Sequence, residues 1–423
     1  MAGAALFGGA LSGAAMAHGH RHARLVELHP APRERPAKIP RAALMGFAND
    51  GDAAPVIRLD PGVPPPPVEV AAAPVALLED AGTGRILYGK DADKRFLPAS
   101  VTKTMTAFLA FELIASGRLR PDQVYRESMD AYRHWHNTGS RMFLEYDQPV
   151  TVDQLLMGIM NVSANDGCIV LAEGFAGSVP AWVAMMNAEA QKLGMTESHF
   201  NTPNGYMDNG QTWVSARDMG ILARTMLTRY PAFYRRYVGH AELTFNGITQ
   251  RNHDPVLGVV PGADGIKTGF TGEAHYNYLG SAQRGDRRLI LVVAGVPTPR
   301  EREKASKALL EWGFSAWSQR DLFSAGATVA QAQVQGGTAA HVPLVIRDRL
   351  AVLDPTGARA PLNMRVTYRG PLPAPIAKGT EVAELEVRQG NAAPWRVPLL
   401  AGANVPAGSA LDRVRTGLAR WLP

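Results

Sequence analysis

Hydrophobic runs divide the chain into regions of different character. Val75 to Leu78 and Ile86 to Tyr88 flank the turn-forming segment Ala81 to Gly84, which predicts two strands joined in a hairpin. Further along, helical and strand-like patterns alternate. Ser215 and Asp218 predict a capping box at the start of a helix that runs towards Arg229, and Leu289 to Val293 is a continuous apolar run typical of a buried strand. We therefore expect a first folded domain of mixed α and β structure over residues 75–320.

Beyond Phe314 the pattern changes to short β-like runs separated by glycine and proline. These runs are His341 to Ile346, Met364 to Tyr368, Val382 to Val387 and Trp395 to Leu400. Their spacing predicts a small all-β domain over residues 325–405.

The C-terminal segment, residues 408–423, has the pattern of a short amphipathic helix. Ser409 and Asp412 form a predicted capping box at its start. Its apolar positions at helical spacing, with arginines between them, are Leu411, Val414, Leu418, Trp421 and Leu422. Such a face over residues 409–422 can lie in the interface of an anionic membrane leaflet, or it can pack on the β domain or fray.

The N-terminal part predicts export and a spacer. Residues 1–17 are mostly small or apolar and end in Ala15-Met16-Ala17, a pattern that signal peptidase cleaves. No lysine or arginine precedes the apolar run, so a flexible Gly/Ala tail is the alternative. Residues 18–74 are rich in alanine and proline, with four consecutive prolines from Pro64, and are expected to form an extended linker.

Composition excludes several classes of protein. Of the 423 residues, 46% are hydrophobic and one is cysteine, so the chain can build a core but no internal disulfide or thiolate metal cluster. The formal net charge is +6, without a run of basic residues interleaved with aromatics, and we expect no nucleic-acid partner. No motif calls for a metal or another cofactor.

Ser100 and Lys103 form the first candidate catalytic pair. They precede the apolar run Thr104 to Ala110, so Ser100 is expected in the first turn of a helix with Lys103 on the same face. A serine needs an adjacent base to become a nucleophile. The pKa of the Lys103 amine must then fall from about 10.4 to roughly 7–8, and a second cation nearby would lower it further.

A Ser-x-x-Lys spacing alone is weak evidence, but two later motifs strengthen it. Ser163-Ala164-Asn165 follows the apolar run Leu155 to Met160, at an expected helix-to-loop junction where a hydroxyl and an amide can face a cleft. Lys267, Thr268 and Gly269 lead towards an expected strand, where the first two side chains can bind a carboxylate and the glycine permits close approach. The three motifs in this order are a strong signal.

The chain resembles the penicillin-binding-protein and serine β-lactamase superfamily, most closely its low-molecular-mass D-alanyl-D-alanine carboxypeptidases, over residues 75–423. The resemblance implies an α+β multi-domain fold: a β-lactamase/transpeptidase-like domain, with an antiparallel sheet flanked by helices plus a helical subdomain, followed by a small all-β domain. It rests on Pro98 to Ser100, Thr102, Lys103, Ser163 to Cys168, Ser215 to Met219, Asp264 to Gly269, Leu309 to Phe314, Lys378, Gly379 and Pro398 to Leu400.

The same resemblance implies a role for each site residue. Ser100 would be the nucleophile and Lys103 its base, while Ser163 would relay a proton to the leaving amine. The backbone N–H groups of Ser100 and Phe270 would bind the oxyanion. The substrate would be bound by Asn165, Lys267, Thr268 and Gly269; Arg302 either helps to hold its carboxylate or is an exposed helix charge.

The resemblance also implies partners and location. The expected activity removes the terminal D-alanine from peptidoglycan stem pentapeptides through an acyl-enzyme, with covalent acylation by β-lactams, in an exported, periplasmic protein. Cleavage of peptidoglycan cross-links by a DD-endopeptidase and non-hydrolytic muropeptide binding remain alternatives. A β-lactamase is disfavoured, because no Glu-x-x-Leu-Asn segment is present.

His275 departs from the pattern of the family, and Cys168 is the one cysteine of the chain. Where the family reads Ala-Gly-Tyr after the Lys-Thr-Gly motif, this chain has His275 between Ala274 and Tyr276. We expect His275 to face away from the site on a strand; the alternative is that it alters the cleft or titrates near neutrality. We expect Cys168 to be a buried, inert residue of a helix, since no histidine stands nearby in the sequence.

Overall fold

The computed structural model describes residues 62–390, 392–409 and 412. Its helices are α1 (Lys103–Ala115), α2 (Met129–Trp135), α3 (Val152–Asn161), α4 (Asn165–Ala176), α5 (Val179–Lys192), α6 (Ala216–Arg229), α7 (Pro231–Tyr237) and α8 (Pro299–Ser315). Its first nine strands are β1 (Val75–Asp80), β2 (Arg85–Lys90), β3 (Val124–Arg126), β4 (Pro149–Thr151), β5 (Glu242–Phe245), β6 (Ile248–Arg251), β7 (Ala263–Thr271), β8 (His275–Arg284) and β9 (Arg287–Val296). The later strands are β10 (Trp317–Phe323), β11 (Thr328–Gln335), β12 (His341–Ile346), β13 (Leu350–Pro355), β14 (Leu362–Thr367), β15 (Leu372–Pro373), β16 (Glu381–Gln389) and β17 (Trp395–Ala401).

A five-stranded antiparallel sheet, in the order β2-β1-β9-β8-β7, separates two hydrophobic cores. Alternate side chains of a strand point to opposite faces. Ile290 and Val292 of β9 therefore join one core with α1, while Leu289 and Leu291 join the other with α8. Burial on both faces explains why β9 is a continuous apolar run in the sequence.

Helix α1 lies at the centre of the helical side of the sheet. Nearly all of its residues from Lys103 to Leu113 are buried, so the helix has no polar face towards solvent. Helices α3 to α6 contribute to the same core. The predicted cap of α6 is present: the Ser215 hydroxyl accepts a hydrogen bond from the Asp218 backbone N–H at 3.1 Å. Helix α1, which follows the candidate nucleophile Ser100, is thus fixed by packing on several sides.

The Lys-Thr-Gly motif lies inside a strand, a small correction to the expectation that it leads towards one. Residues Lys267 to Gly269 are central in β7, the outermost strand of the sheet on that side. The side of β7 away from β8 lies against the short 3-10 helix Ala99–Thr102, since a Cβ added to Gly269 would be 2.4 Å from the Pro98 carbonyl oxygen. Only a glycine permits this approach, which brings the motif to the Ser100 turn.

The end of the expected linker is packed on the first domain. A 3-10 helix spans Val68–Ala72, Val70 is buried, and the Trp312 indole N–H donates to the Pro64 carbonyl at 3.2 Å. Pro-rich backbone makes no internal hydrogen bonds, so its carbonyls are free to accept from a neighbouring helix. Residues 1–17 and the linker up to residue 61 lie outside the described residues.

The C-terminal part is a small all-β domain with its own hydrophobic core. Its six-stranded sheet has the order β14-β16-β17-β12-β11-β15, and β10 pairs with β13. The four runs expected from the sequence correspond to β12, β14, β16 and β17. Strands β10, β11, β13 and β15 were not expected; β11, for instance, alternates small alanines and valines with glutamine and has little hydrophobic contrast.

Arginines of the central sheet bind the β domain. Arg85 of β2 donates to the Leu353 carbonyl at 2.7 Å and to the Gln389 side chain at 3.0 Å. Arg287 of β9 donates to the Trp317 carbonyl at 2.6 Å. These hydrogen bonds are partly buried, and hydrogen bonds from a charged donor are stronger than neutral ones.

Of the predicted C-terminal helix only its cap is described. Ser409 and Asp412 exchange the expected hydrogen bonds, with Asp412 N–H to Ser409 Oγ at 3.3 Å and Ser409 N–H to the carboxylate at 2.9 Å. Within the described residues, no single helix is long and apolar enough to cross a membrane. Helices α4 and α5 meet the length and composition test only as a pair bent by 89°.

Candidate active site

The turn that carries Ser100 is short and constrained. The 3-10 helix Ala99–Thr102 runs directly into α1, and the Val101 N–H donates to the Pro98 carbonyl at 3.1 Å. Ala99 has a φ of 48°, in the left-handed region that a residue with a side chain seldom adopts. Ser100 itself is half-buried. The sequence prediction of a serine at the start of a helix is confirmed.

The Lys103 amine is fully buried and touches three oxygens. Its Nζ lies 2.8 Å from Ser100 Oγ, 2.7 Å from Asn165 Oδ1 and 2.7 Å from the Asn204 carbonyl oxygen. The Asn165 orientation is fixed because its Nδ2 donates to the Thr138 carbonyl at 3.3 Å. The predicted proximity of Ser100 and Lys103 is thus present. Two further oxygens, from Asn165 and Asn204, accept hydrogen bonds from the same amine.

These contacts define what a neutral Lys103 can do. A neutral amine has two N–H donors and one lone pair, whereas an ammonium has three donors and no acceptor. The Asn165 Oδ1 and the Asn204 carbonyl can only accept, so they take both N–H groups. The lone pair is left to the Ser100 hydroxyl, which is the arrangement of a nucleophile and its base.

Burial makes this neutral state accessible. Desolvation lowers the pKa of Lys103 to about 8, partly opposed by the charge of the nearby Asp166. Desolvation and the charge of Lys103 lower the pKa of Lys267 to about 7. Because repulsion between the two ammonium groups is mutual, each favours loss of a proton from the other. The second cation that the sequence led us to expect is in place.

Ser163 and Asn165 lie between two helices. Helix α3 ends at Asn161 and α4 begins at Asn165, and Ser163 between them is buried with a φ of 62°. The Asn165 N–H donates to the Ser140 carbonyl at 2.8 Å. The expected helix-to-loop junction is confirmed. The backbone N–H and Nδ2 of Asn165 contact segment 138–142, whereas its Oδ1 contacts Lys103.

Asp166 fixes the same segment. Its carboxylate accepts hydrogen bonds from the Met142 N–H at 3.0 Å, the Leu144 N–H at 3.2 Å and the Gly167 N–H at 2.9 Å. The residue is 2% exposed, and the three donors satisfy it away from water. Asp166 is therefore a positioning residue that the sequence analysis did not assign.

Lys267, Thr268 and Arg302 are all buried near the candidate pair. They are 4%, 9% and 8% exposed, respectively, so the reading of Arg302 as an exposed helix charge is wrong. Burial lowers the pKa of Arg302, and the charge of Asp254 raises it. Arg302 Nη2 donates to the His253 carbonyl at 3.4 Å, which ties α8 to the segment before β7.

Aromatic rings connect Phe270 to Arg302. The Phe270 ring is 53% exposed and stacks on Tyr276 with centroids 4.3 Å apart, while the Arg302 guanidinium lies 5.6 Å from the Tyr276 ring centroid. Asp254, close to Arg302, accepts a hydrogen bond from the Tyr278 hydroxyl at 2.9 Å. Neither Asp254 nor Tyr276 was identified from the sequence, because their roles depend on contacts across β7, β8 and α8.

Two further residues secure the Ser100 turn from a distance. Asn277 of β8 donates to the Leu97 carbonyl at 2.9 Å and accepts from the Gly295 N–H at 2.8 Å. Gly205 has a φ of +70°, and a Cβ added there would be 1.9 Å from the Ala99 carbonyl oxygen. The turn is thus held between the sheet and the loop that follows α5.

His275 is exposed, whereas Cys168 is buried. His275 is exposed at the start of β8, paired with Thr271, and has a φ of 53°. That left-handed backbone explains why a glycine suits this position. Cys168 is completely buried in α4, and burial raises the pKa of its thiol to about 12, as expected for an inert residue.

Comparison with known proteins identifies both domains. A family model described as D-alanyl-D-alanine carboxypeptidase matches residues 63–298, and one described as the C-terminal domain of penicillin-binding protein 5 matches residues 317–407. The D-alanyl-D-alanine carboxypeptidase DacD of Salmonella typhimurium is 34% identical over 83% of this chain and 90% of its own length. The corresponding DacF of Bacillus subtilis is 30% identical over 82% of this chain and 89% of its own length.

Solved structures agree with these relatives. Penicillin-binding protein 5 from Haemophilus influenzae has a TM-score of 0.72 at 32% identity, covering 82% of this chain and all of that one. Penicillin-binding protein D2 from Listeria monocytogenes, in its ampicillin-bound form, has a TM-score of 0.51 at 28% identity, covering 57% of this chain and 97% of that one. The chain therefore belongs to the D-alanyl-D-alanine carboxypeptidase family of serine peptidases.

Proposed function

We propose that this enzyme removes the terminal D-alanine from peptidoglycan stem pentapeptides through an acyl-enzyme on Ser100. The observation that carries the proposal is the buried Lys103 amine, 2.8 Å from the Ser100 hydroxyl with both of its other partners being acceptors. A binding protein has no need for a base held against a serine, so this contact favours catalysis over non-hydrolytic binding.

Acylation begins when the Ser100 oxygen attacks the carbonyl carbon of the penultimate D-alanine and Lys103 takes the hydroxyl proton. The resulting oxyanion is bound by the backbone N–H groups of Ser100 and Phe270, a type of interaction worth roughly 3–4 kcal/mol per donor. The tetrahedral intermediate collapses with cleavage of the C–N bond. The proton held by Lys103 passes through Ser163 to the leaving nitrogen, and free D-alanine departs.

Deacylation releases the shortened peptide. Water adds to the ester carbonyl while a nearby base takes its proton, and the C–O bond to Ser100 breaks as the base returns that proton to Ser100 Oγ. Lys103 is the base that we assign to this step, because its amine is already within hydrogen-bonding distance of the Ser100 oxygen.

The substrate carboxylate is held at the other end of the site, by Lys267, Thr268 and Arg302. Gly269 lets β7 lie against the Ser100 turn, and the Asn165 amide binds the acyl part. A bound carboxylate also stabilises the positive charge on Lys267. With a single proton shared between the two amines, the substrate thereby favours the state in which Lys267 is charged and Lys103 is the free base.

Acylation by β-lactams follows from the same chemistry, because the strained amide of a β-lactam carries its carboxylate near the reacting carbonyl. The related Listeria protein was solved in ampicillin-bound and cefotaxime-bound forms. For this chain, a stable acyl-enzyme on Ser100 is the proposed product.

The proposal is tested by measuring D-alanine release from a stem pentapeptide by the purified protein. Release that is lost in Ser100→Ala supports the carboxypeptidase. Faster cleavage of cross-linked dimers than of pentapeptide would favour a DD-endopeptidase, and tight muropeptide binding without release would overturn enzymatic function.

We further propose that the protein is exported to the periplasm, with residues 1–17 as its signal peptide, and that residues 409–422 contact the membrane peripherally. Most of the C-terminal segment lies outside the described residues, so its amphipathic pattern is the support. Co-sedimentation with anionic liposomes should be lost in a chain ending at Gly408. Equal partitioning of both chains would reject the membrane contact.

A further inference from the structure

Two half-buried aromatic residues form a wall beside the candidate active site. Trp135, the last residue of α2, and Tyr206 meet edge to face, with ring centroids 5.3 Å apart at 84°. The residue after Tyr206, Met207, is an exposed apolar side chain, 54% accessible. No step of the proposed reaction uses these three side chains.

The wall of Trp135 and Tyr206 lies close to residues that surround Lys103. Asn204, two residues before Tyr206, receives a Lys103 N–H, and Gly205 contacts the Ala99 carbonyl. On the other side, a Cβ added to Gly139 would lie 2.6 Å from Asn165 Nδ2 and 3.7 Å from the Tyr206 ring. The Tyr206 ring is therefore adjacent to Asn165.

The wall lies on the side of the site that the acyl part of the substrate is expected to reach. The leaving residue carries the carboxylate, which Lys267, Thr268 and Arg302 hold on the β7 and α8 side. The part of the peptide before the scissile carbonyl is the part left to reach the Asn165 side. There it meets ring faces and edges, which bind aliphatic groups through burial of apolar surface.

The two aromatic rings offer an apolar contact. Asp208, the acidic residue closest in sequence to Tyr206, already accepts hydrogen bonds from Thr212 Oγ1 at 2.6 Å and the Gln211 N–H at 3.0 Å. No hydrogen bond joins the Tyr206 hydroxyl or the Trp135 indole N–H to another residue in the described part of the chain.

We propose that Trp135 and Tyr206 form a specificity subsite for the acyl part of the substrate, which takes the aliphatic side chain of the residue preceding the two D-alanines. This inference rests on the proposed carboxypeptidase function and extends it to a preference within the stem peptide. The subsite distinguishes a long linear aliphatic side chain from a methyl group, since a single methylene in an apolar pocket is worth about 10- to 200-fold in specificity.

The test compares two tripeptides, diacetyl-L-Lys-D-Ala-D-Ala and acetyl-L-Ala-D-Ala-D-Ala, in the wild type and in Trp135→Ala, Tyr206→Leu and Tyr206→Phe. Trp213→Ala is a matched control, because the Trp213 ring also stacks on a neighbour, His199 at 4.6 Å. Acylation of each variant by a fluorescent penicillin reports whether the Ser100 and Lys103 machinery is intact.

We expect Trp135→Ala and Tyr206→Leu to lower kcat/KM for the lysyl peptide by about tenfold or more, but by less than about threefold for the alanyl peptide. Tyr206→Phe and Trp213→Ala keep the wild-type preference, and penicillin still labels every variant, which shows that Ser100 and Lys103 remain functional. An equal fall for both peptides, or an unchanged preference in Trp135→Ala, would overturn the subsite.

A failure of the underlying function gives a different result. If the wild type is acylated by penicillin but releases no D-alanine from either peptide, the carboxypeptidase proposal fails, and the subsite proposal with it. If the wild type releases D-alanine but does not prefer the lysyl peptide, the subsite proposal alone is overturned.

Discussion

The Lys103 amine lies 2.7 Å from the carbonyl oxygen of Asn204, a residue 101 positions further along the chain. The carbonyl takes one N–H group of Lys103 and the Asn165 side chain takes a second. A Ser-x-x-Lys spacing brings the two side chains together, but these two distant acceptors are what leave the lone pair of a neutral Lys103 for Ser100.

Lys103→Arg should abolish this function while it keeps the positive charge. A guanidinium remains protonated in proteins and cannot accept the serine proton. We expect the rate of penicillin acylation to fall by about 10²- to 10⁴-fold, the usual contribution of a general base. Lys192→Arg, at an exposed amine that pairs with the buried Glu189, is the matched control and should acylate normally. Normal acylation of Lys103→Arg would exclude the lysine as the base.

The rate of acylation should rise with pH. Below the apparent pKa of the amine pair both lysines are protonated and Lys103 cannot act as a base, so raising the pH through about 7 to 8 increases the active fraction. In Lys267→Gln the repulsion from the second ammonium is lost, which raises the pKa of Lys103 and moves the rise to higher pH. Single-turnover acylation across a pH series measures the midpoint of this rise in the wild type and in Lys267→Gln. An unchanged or lower midpoint in Lys267→Gln would contradict the coupling between the two amines.

Gly205→Ala should distort the Ser100 turn. The new Cβ would lie 1.9 Å from the Ala99 carbonyl oxygen, and the φ of +70° disfavours any side chain. The matched control is Gly247→Ala, with a φ of +73° and no atom within 4 Å. We expect Gly247→Ala to lose about 1–2 kcal/mol of unfolding free energy, the left-handed penalty alone, and Gly205→Ala to lose more and to acylate slowly. Equal stability and acylation of the two variants, measured by denaturation and penicillin labelling, would refute the close approach.

Glu127→Gln should make the free energy of unfolding less dependent on pH. Burial, with Asp166, Glu145 and Glu173 nearby, raises the pKa of Glu127 to about 8, and neither of its side-chain oxygens has a hydrogen-bond partner in the described residues. The folded state binds this proton more tightly than the unfolded chain does, so its contribution to stability is lost as pH rises from about 4.3 to 8.

The glutamine does not titrate, so the unfolding free energy of Glu127→Gln relative to wild type should increase over that pH range. Glu303→Gln, at an exposed position on α8, is the control for the loss of one carboxylate. Parallel curves for Glu127→Gln and wild type in chemical denaturation would show that Glu127 is ionised in the folded protein.

Local patterns were sufficient for the parts of the fold and site that depend on neighbours in sequence. The hairpin of β1 and β2, the buried β9, the Ser215 cap and the reach of Lys103 to Ser100 all follow from periodicities of two or of about 3.6 residues. Each is present in the structure.

Contacts between distant segments could not be predicted in this way. Asn204 acts through a main-chain carbonyl, which carries no side-chain signal, and Asp166 acts by accepting N–H groups from Met142 and Leu144 some twenty residues earlier. The burial of Arg302 depends on how α8 crosses β8, and an isolated helix pattern is compatible with either exposure or burial. The packed end of the Pro-rich linker was missed because a polyproline segment has no periodicity of its own.

The most direct test of the central claim is labelling with a fluorescent penicillin, comparing wild type, Ser100→Ala and Ser116→Ala, an exposed serine at the end of α1. Intact-mass analysis and fluorescence after denaturation report a covalent adduct. We predict one adduct in wild type and in Ser116→Ala and none in Ser100→Ala. An adduct that survives in folded Ser100→Ala would show that Ser100 is not the nucleophile.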